Sequence, residues 1–215
     1  MMMPRLIKIT DVPKVIGQIK ERIALCEQRY CEARNIARKT SIDIIKTSAP
    51  NDGAYLCTSL NSIHNFMTGL DLDPFLRCAD LGGGFGGLSL TLNLLLHNVT
   101  SIEYDFRMIS LGVAAQVGLN WQIKQNLRVD GCFNVNFQRD DVLEIDPNVY
   151  DLLFLQRPFL DDFENKIMPQ LSRLKSGKLL ILGTANRVPA HFRGLLTEVP
   201  PLSASHVPFC LARRI

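Results

Sequence analysis

The residues with the clearest chemical potential form a glycine-rich run, Asp80-Leu81-Gly82-Gly83-Gly84-Phe85-Gly86-Gly87. Glycine lets the backbone turn sharply and approach a ligand without a Cβ atom in the way. The run fits two spacings at once: Gly82-x-Gly84-x-x-Gly87, the dinucleotide fingerprint, and Asp80-x-Gly82-x-Gly84-x-Gly86. The glycines therefore predict a ligand-binding turn between a strand and a helix, without choosing between these two kinds of site.

The acidic residue before the first glycine separates the two possibilities. A dinucleotide enzyme seats a pyrophosphate on the glycine loop and the N-terminus of the following helix. A carboxylate at Asp80 would repel that pyrophosphate, whereas a ligand with a positive charge would be attracted to it. Asp80 therefore favours a cationic ligand, bound directly or through water, with Gly82, Gly84 and Gly86 forming the turn.

A second acid, Glu103, lies at the end of the next predicted strand, 23 residues after Asp80. An acid about 20 residues beyond such a loop accepts hydrogen bonds from ribose hydroxyls. Tyr104 follows and is placed to cover one face of an adenine ring. The pair predicts a nucleoside, but nicotinamide enzymes share this acid, so it does not choose the cofactor.

A third acidic stretch, Gln138-Arg139-Asp140-Asp141-Val142-Leu143, follows the third predicted strand. A carboxylate here can accept a hydrogen bond from the exocyclic amine of adenine. The backbone N–H of the next residue would then pair with a ring nitrogen. Either Asp140 or Asp141 fits the acid, and the second frame makes Val142 the backbone donor.

Strands and helices alternate along the part of the chain that must position these residues. The predicted strands cover 75–81, 99–105, 133–138, 150–155, 178–182 and 206–213, and the predicted helices cover 58–70, 87–97, 106–127 and 161–175. The dense apolar run 150–155 is typical of a strand buried on both faces. This alternation predicts a doubly wound α/β fold with a mostly parallel sheet. Trp121, on the long helix 106–127, is expected in the core.

An N-terminal helical appendage precedes this sheet. Its apolar residues recur at helical spacing and form one stripe: Ile16, Ile19, Ile23, Cys26, Tyr30, Ala33 and Ala37. A breaker at 48–53 divides the chain into a helical segment, 1–50, and a domain, 51–215. The stripe would pack on that domain or on a second subunit, so a homodimer through this helix is one prediction.

The order of these stretches resembles the class I, Rossmann-like methyltransferases, which use S-adenosyl-L-methionine. The similar stretches are residues 80–86, 102–105, 138–143 and 150–159, and the resemblance extends over about 55–215. It implies a seven-stranded sheet with a reversed last strand, which 206–213 would supply. It also implies S-adenosylmethionine as the cofactor, whose ammonium and sulfonium groups suit the carboxylate of Asp80.

The resemblance further implies where the methionine end and the methyl acceptor lie. Similar enzymes often fold the segment before the first strand over the methionine end, which implicates Tyr55 and Thr58. Amine-methylating members often carry Asn/Asp-Pro-Pro-aromatic in the fourth motif, and this chain departs from that pattern. Gln156 is predicted to orient the acceptor and Phe159 to stack on it, while nucleic acid, protein and small-molecule acceptors all stay open.

Two other function classes compete with a methyltransferase. An NAD(P)-dependent oxidoreductase would use the same loop and acid, but the chain has Asp80 and lacks a Tyr-x-x-x-Lys pair. A non-catalytic methyltransferase-like scaffold protein would explain both the altered fourth motif and the N-terminal stripe.

The bulk composition is that of an ordinary globular protein, with 47% hydrophobic and 21% charged residues. No apolar run is long enough to predict a membrane span. The N-terminus has no signal-peptide pattern, so we expect a cytoplasmic protein. The six cysteines are scattered and form no metal-binding spacing, so we expect reduced thiols and no metal. A net charge of +3 is too small to select a partner.

Overall fold

The protein is described by a computed structural model that covers residues 12–34, 60–126, 132–155, 163–183, 188, 192–199 and 209–215. The helices are α1 (Val12–Arg34), α2 (Leu60–Thr68), α3 (Gly87–Leu92), α4 (Phe106–Asn126) and α5 (Phe163–Ser172). The strands are β1 (Arg77–Leu81), β2 (Asn98–Glu103), β3 (Asn136–Arg139), β4 (Leu152–Leu155), β5 (Leu179–Gly183), β6 (Leu196–Glu198) and β7 (Phe209–Arg214). Sequence periodicity predicted each of these elements except β6, which has three residues and only one buried side chain.

The strands form one seven-stranded sheet in the order β3-β2-β1-β4-β5-β7-β6. The pairs from β3 to β5 are parallel, whereas β7 runs antiparallel to both β5 and β6. This confirms the predicted mostly parallel sheet with a reversed last strand. Because β2 and β4 lie on opposite sides of β1, the chain winds in both directions from β1, and ligands bind at such a switch point in open α/β sheets.

The two faces of the sheet are covered by separate apolar clusters. Cys78 and Phe154 belong to the cluster that contacts α1, α2, α3 and α4. Their neighbours in the same strands, Ala79 in β1 and Leu153 in β4, belong to the cluster that contacts α5. Successive strand residues point to opposite faces, so strands that are apolar throughout, such as β4, supply both clusters.

The N-terminal helix α1 packs on the same sheet face as α2, α3 and α4. The first five residues of the predicted apolar stripe are buried: Ile16, Ile19, Ile23, Cys26 and Tyr30. Of the two alternatives for this stripe, packing on the chain's own domain is confirmed. Ala33 is exposed, and Ala37 lies outside the described residues. The division between 1–50 and 51–215 stays a prediction.

The long helix α4 presents an apolar outer side. Trp121 is 63% exposed, so the prediction that it lies in the core is wrong. Leu119 and Ile123 take the buried positions. Trp121 lies two residues from each of them and therefore points to the opposite side of a helix with 3.6 residues per turn. Val117 is 64% exposed on the same outer side. None of the described helices combines the length and apolarity needed to cross a lipid bilayer.

Candidate functional site

The glycine loop joins β1 to α3 at the edge of the sheet where the parallel strands end. Gly82, Gly84 and Gly86 have φ angles of 77°, 56° and 78°, in the left-handed region that favours glycine. Gly86 has no room for a side chain either, because a Cβ atom there would collide with the ring of Phe137. The path of the loop therefore requires glycine at this position.

Several backbone donors of the loop are used inside the protein. The N–H groups of Gly82 and Gly83 both donate to the carbonyl of Ile102, each at 2.9 Å. The N–H of Gly84 donates to Glu103 Oε2 at 3.0 Å. These three N–H groups are consequently not directed at a pyrophosphate, which dinucleotide enzymes bind through loop and helix N–H groups.

Glu103 stands at the end of β2, half-buried beside the loop. Its Oε1 accepts hydrogen bonds from the backbone N–H groups of Tyr104 at 2.8 Å and Asp105 at 3.0 Å. Its Oε2 accepts from Gly84. A carboxylate offers about four acceptor positions, so Oε2 retains capacity for one more donor. The remaining acceptor position of Glu103 therefore fits a sugar hydroxyl.

An exposed aromatic surface adjoins Glu103. Tyr104 is 68% exposed and Phe106 is 54% exposed. The guanidinium carbon of Arg139 lies 6.0 Å from the ring centroid of Tyr104 and 5.9 Å from that of Phe106, within cation–π range. Sequence analysis assigned no role to Phe106 or Arg139. The parallel register pairs Arg139 with Glu103. Each is the last residue of its strand, and this shared position is the signal that could have placed Arg139 at the site.

The two candidate acids after β3 are held differently. The N–H of Asp140 donates to the carbonyl of Glu103 at 3.2 Å, which joins this turn to the end of β2. Both carboxylate oxygens of Asp140 accept internal hydrogen bonds, from Gln138 at 3.0 Å and from the Asp141 N–H at 2.9 Å. Asp141 Oδ1 accepts from the Leu143 N–H at 2.9 Å.

Val142, the proposed backbone donor of the second frame, is half-buried against the α5-side core. Asp140, Asp141 and Val142 thus lie in the turn beside Glu103, and neither frame is selected.

Asp80, the last but one residue of β1, is only 1% exposed. Its Oδ2 accepts a hydrogen bond from the hydroxyl of Ser89 at 2.6 Å. Burial raises the pKa of Asp80 to about 7; the Ser89 hydrogen bond lowers it and the charge of Glu103 raises it. The carboxyl group therefore lies beneath the loop. Its burial favours binding of a cationic ligand through water over the direct contact, the other predicted possibility.

The remaining predicted site residues, Tyr55, Thr58, Gln156 and Phe159, lie outside the described residues. Leu155, the last residue of β4, pairs with Leu81 immediately before the glycine loop. Strand β4, which lies within the fourth of the similar stretches, therefore ends next to the loop. The roles of these four residues stay predictions.

A contact that sequence analysis missed comes from the N-terminal helix. The hydroxyl of Tyr30 donates to Asp105 Oδ2 at 2.7 Å, and its ring meets Phe85 of the loop edge-on with centroids 5.5 Å apart. A tyrosine within an apolar helical stripe signals that its hydroxyl needs a buried partner. The sequence does not say which residue, 75 positions away, supplies it.

Comparison with known proteins supports the fold. No protein-family model matches the chain, and a comparison with curated protein sequences finds no significant match. Magnesium protoporphyrin IX methyltransferase from Synechocystis with bound S-adenosylmethionine is similar in structure, with a TM-score of 0.52 and 15% identity over 83% of this chain and 93% of that one. The same enzyme with bound S-adenosylhomocysteine gives 0.51 and 14% over 73% and 82%. The chain therefore has a class I methyltransferase fold.

Proposed function

We propose that this chain is an S-adenosylmethionine-dependent methyltransferase whose cofactor lies along the glycine loop and the ends of β2 and β3. The observation that carries the proposal is the placement of Glu103. Its carboxylate is fixed by three backbone N–H groups beside the glycine loop and keeps one acceptor position for a ribose hydroxyl. The class I methyltransferase fold supports the same cofactor.

Each part of the site has a role in this proposal. Gly82, Gly84 and Gly86 shape the loop against which the methionine portion lies, and Asp80 stabilises its ammonium group from beneath the loop. Tyr104 stacks on the adenine. The adenine amine is bound by either Asp140 or Asp141, with the backbone of Val142 as the donor in the second frame, and Tyr55 and Thr58 cover the methionine end.

The chemistry asks mainly for alignment. When bound, S-adenosylmethionine would supply a methyl group on sulfonium: the acceptor would bond to the methyl carbon as the carbon–sulfur bond breaks, and the neutral thioether of S-adenosylhomocysteine would leave. Holding the two reactants in line and excluding water supplies much of the rate. Gln156 orients the acceptor and Phe159 stacks on it, and a general base is needed only where the acceptor must lose a proton.

The internal use of the loop N–H groups supports this cofactor over a dinucleotide. The donors of Gly82, Gly83 and Gly84 are taken by protein oxygens, and the charge of Glu103 is close enough to Asp80 to raise the pKa of that carboxyl group. A pyrophosphate would be repelled by the charge of Glu103, whereas an ammonium and a sulfonium are attracted to it.

Isothermal titration calorimetry tests the cofactor. Wild-type protein should bind S-adenosylmethionine and S-adenosylhomocysteine and should not bind NAD or NADP. Glu103→Gln places an amide N–H₂ where the Gly84 N–H now donates and where the ribose hydroxyl would donate. Because a hydrogen bond to a charged group contributes about 1.5–3 kcal/mol, affinity should fall about tenfold to hundredfold. Glu144→Gln, an exposed acid in the neighbouring turn, is the matched control.

Two results would contradict the proposal. Binding of NAD in place of S-adenosylmethionine would assign an oxidoreductase, and unchanged affinity in Glu103→Gln would remove this residue from the site. Release of S-adenosylhomocysteine on incubation with pools of nucleic acid, protein or small molecules tests transfer and sorts the acceptor class. Tight cofactor binding with no turnover on any pool would favour the scaffold alternative.

A homodimer through the N-terminal helix is a separate proposal. The apolar stripe of α1 is buried within the chain, so a dimer would have to use the opposite side of the helix, where Leu25 is 38% exposed. Sedimentation velocity tests it, because Leu25→Lys should convert a dimer to a monomer.

A further inference from the structure

We propose that Tyr30, on the N-terminal helix, is a positioning residue for the cofactor site, because it contacts both of the loops that would hold the ligand. The inference rests on the proposed function for its ligand, but its geometry does not depend on which nucleoside binds. It assigns α1 a part in the site, beyond its contribution to the core.

The first contact reaches the loop after β2. Tyr30 donates its hydroxyl proton to Asp105 Oδ2 at 2.7 Å. The other oxygen of Asp105, Oδ1, accepts from the N–H of Arg107 at 2.9 Å and so caps the start of α4. The side chain of Asp105 is therefore fixed from two directions, by α1 and by α4.

Asp105 passes this constraint on to Glu103. The backbone N–H of Asp105 donates to Glu103 Oε1 at 3.0 Å, while Glu103 Oε2 accepts from Gly84. Movement of Asp105 would therefore displace the carboxylate that is proposed to bind the ribose. It would also loosen the hydrogen bond that holds the glycine loop.

The second contact reaches the glycine loop directly. Phe85, fully buried, follows Gly84 and packs edge-on against the ring of Tyr30 at 5.5 Å between centroids. The contacts thus close a ring: Tyr30 to Asp105, Asp105 to Glu103, Glu103 to Gly84, and Phe85 back to Tyr30. The two loops are therefore joined by two routes, directly through Glu103 and Gly84 and indirectly through Tyr30, and loss of the Tyr30 hydroxyl removes the hydrogen bond of the second route.

The variant Tyr30→Phe tests this role, because it keeps the ring on Phe85 and removes only the hydroxyl. The control is Ile19→Val, which removes one methylene from a fully buried residue of the same helix, eleven positions away from Tyr30. Urea denaturation of both variants provides the stability correction. The readouts are the affinity for S-adenosylhomocysteine by calorimetry and the amide hydrogen exchange of Gly84, Tyr104 and Asp105 in the ligand-free protein.

Tyr30→Phe should weaken S-adenosylhomocysteine binding about fivefold, as expected for the partial loss of one hydrogen bond to a charged group. The amides of Gly84 and Asp105 should exchange several-fold faster than in wild type. Ile19→Val should change neither readout beyond its effect on global stability.

The inference is overturned if Tyr30→Phe leaves the affinity unchanged, or if Ile19→Val has the same effect after the stability correction. If wild-type protein binds neither S-adenosylhomocysteine nor S-adenosylmethionine, the proposed function fails separately. Amide exchange then decides the inference: unchanged exchange at Gly84 in Tyr30→Phe would refute it, and faster exchange would support it.

Discussion

Replacing Asp80 with asparagine should change how the stability of the protein depends on pH. Asp80 is 1% exposed, and burial raises its pKa from 3.8 to about 7. The unfolded chain releases this proton above about pH 4, whereas the folded protein keeps it until about pH 7. Stability linked to Asp80 is therefore fully present below about pH 4, is lost as pH rises towards 7, and changes little above that.

The size of this effect follows from the pKa difference between the folded and unfolded protein. About three units, at about 1.36 kcal/mol each, amount to about 4 kcal/mol of unfolding free energy lost between pH 4 and pH 8. The asparagine side chain of the variant cannot ionise, and its amide oxygen can still accept the Ser89 hydroxyl hydrogen bond. The difference in unfolding free energy between Asp80→Asn and wild type should therefore change in favour of the variant by as much as about 4 kcal/mol from pH 4 to pH 8.

Urea denaturation at half-unit steps from pH 4 to 8.5, followed by circular dichroism, measures this difference. Ionisation of the other groups cancels in the comparison, and burying the extra amide N–H₂ adds an offset that does not vary with pH. The pH slope of the difference is the readout, provided that the dependence on urea concentration stays constant. A slope of zero would refute the buried, proton-retaining Asp80. As a further control, Ser89→Ala should move the stability loss to higher pH, because its hydrogen bond lowers the pKa.

Two further predictions test the loop and the outer side of α4. Gly86→Ala should cost about 1–2 kcal/mol for its left-handed backbone and about 1–3 kcal/mol more for the collision with Phe137. Gly177→Ala, at φ 88° with open space around it, should show only the backbone cost. Equal losses of unfolding free energy in Gly86→Ala and Gly177→Ala would contradict the collision with Phe137. Trp121 is the only tryptophan in the chain, so its fluorescence should be quenched readily by iodide; a shielded emission would contradict its exposure.

The fold was largely predictable because the signals that specify it are local. The apolar run 150–155 and the glycine loop after 75–81 mark strands and a turn within short windows of sequence. Alternating strands and helices leave few topologies, since parallel strands need crossover helices. Strand β6 was missed because three residues with one buried side chain, Leu196, carry no periodicity.

Part of the candidate site was predictable for the same reason. In a parallel sheet, residues that end neighbouring strands meet at one edge, so Glu103 and the turn at Asp140 could be placed beside the glycine loop. Arg139 follows from the same rule but needs the register between β2 and β3. Register depends on pairing between segments more than 30 residues apart, which no local pattern specifies.

The sequence by itself determined which residue types could bind the ligand, which strands carry them, and that α1 has one apolar side. Only the tertiary structure decided that Tyr30 bonds to Asp105, that Asp80 faces Ser89 beneath the loop, and that Trp121 points outward. The physical reason is that strand and helix periods arise from backbone geometry within a few residues. Burial and side-chain partners, in contrast, depend on how distant segments pack together.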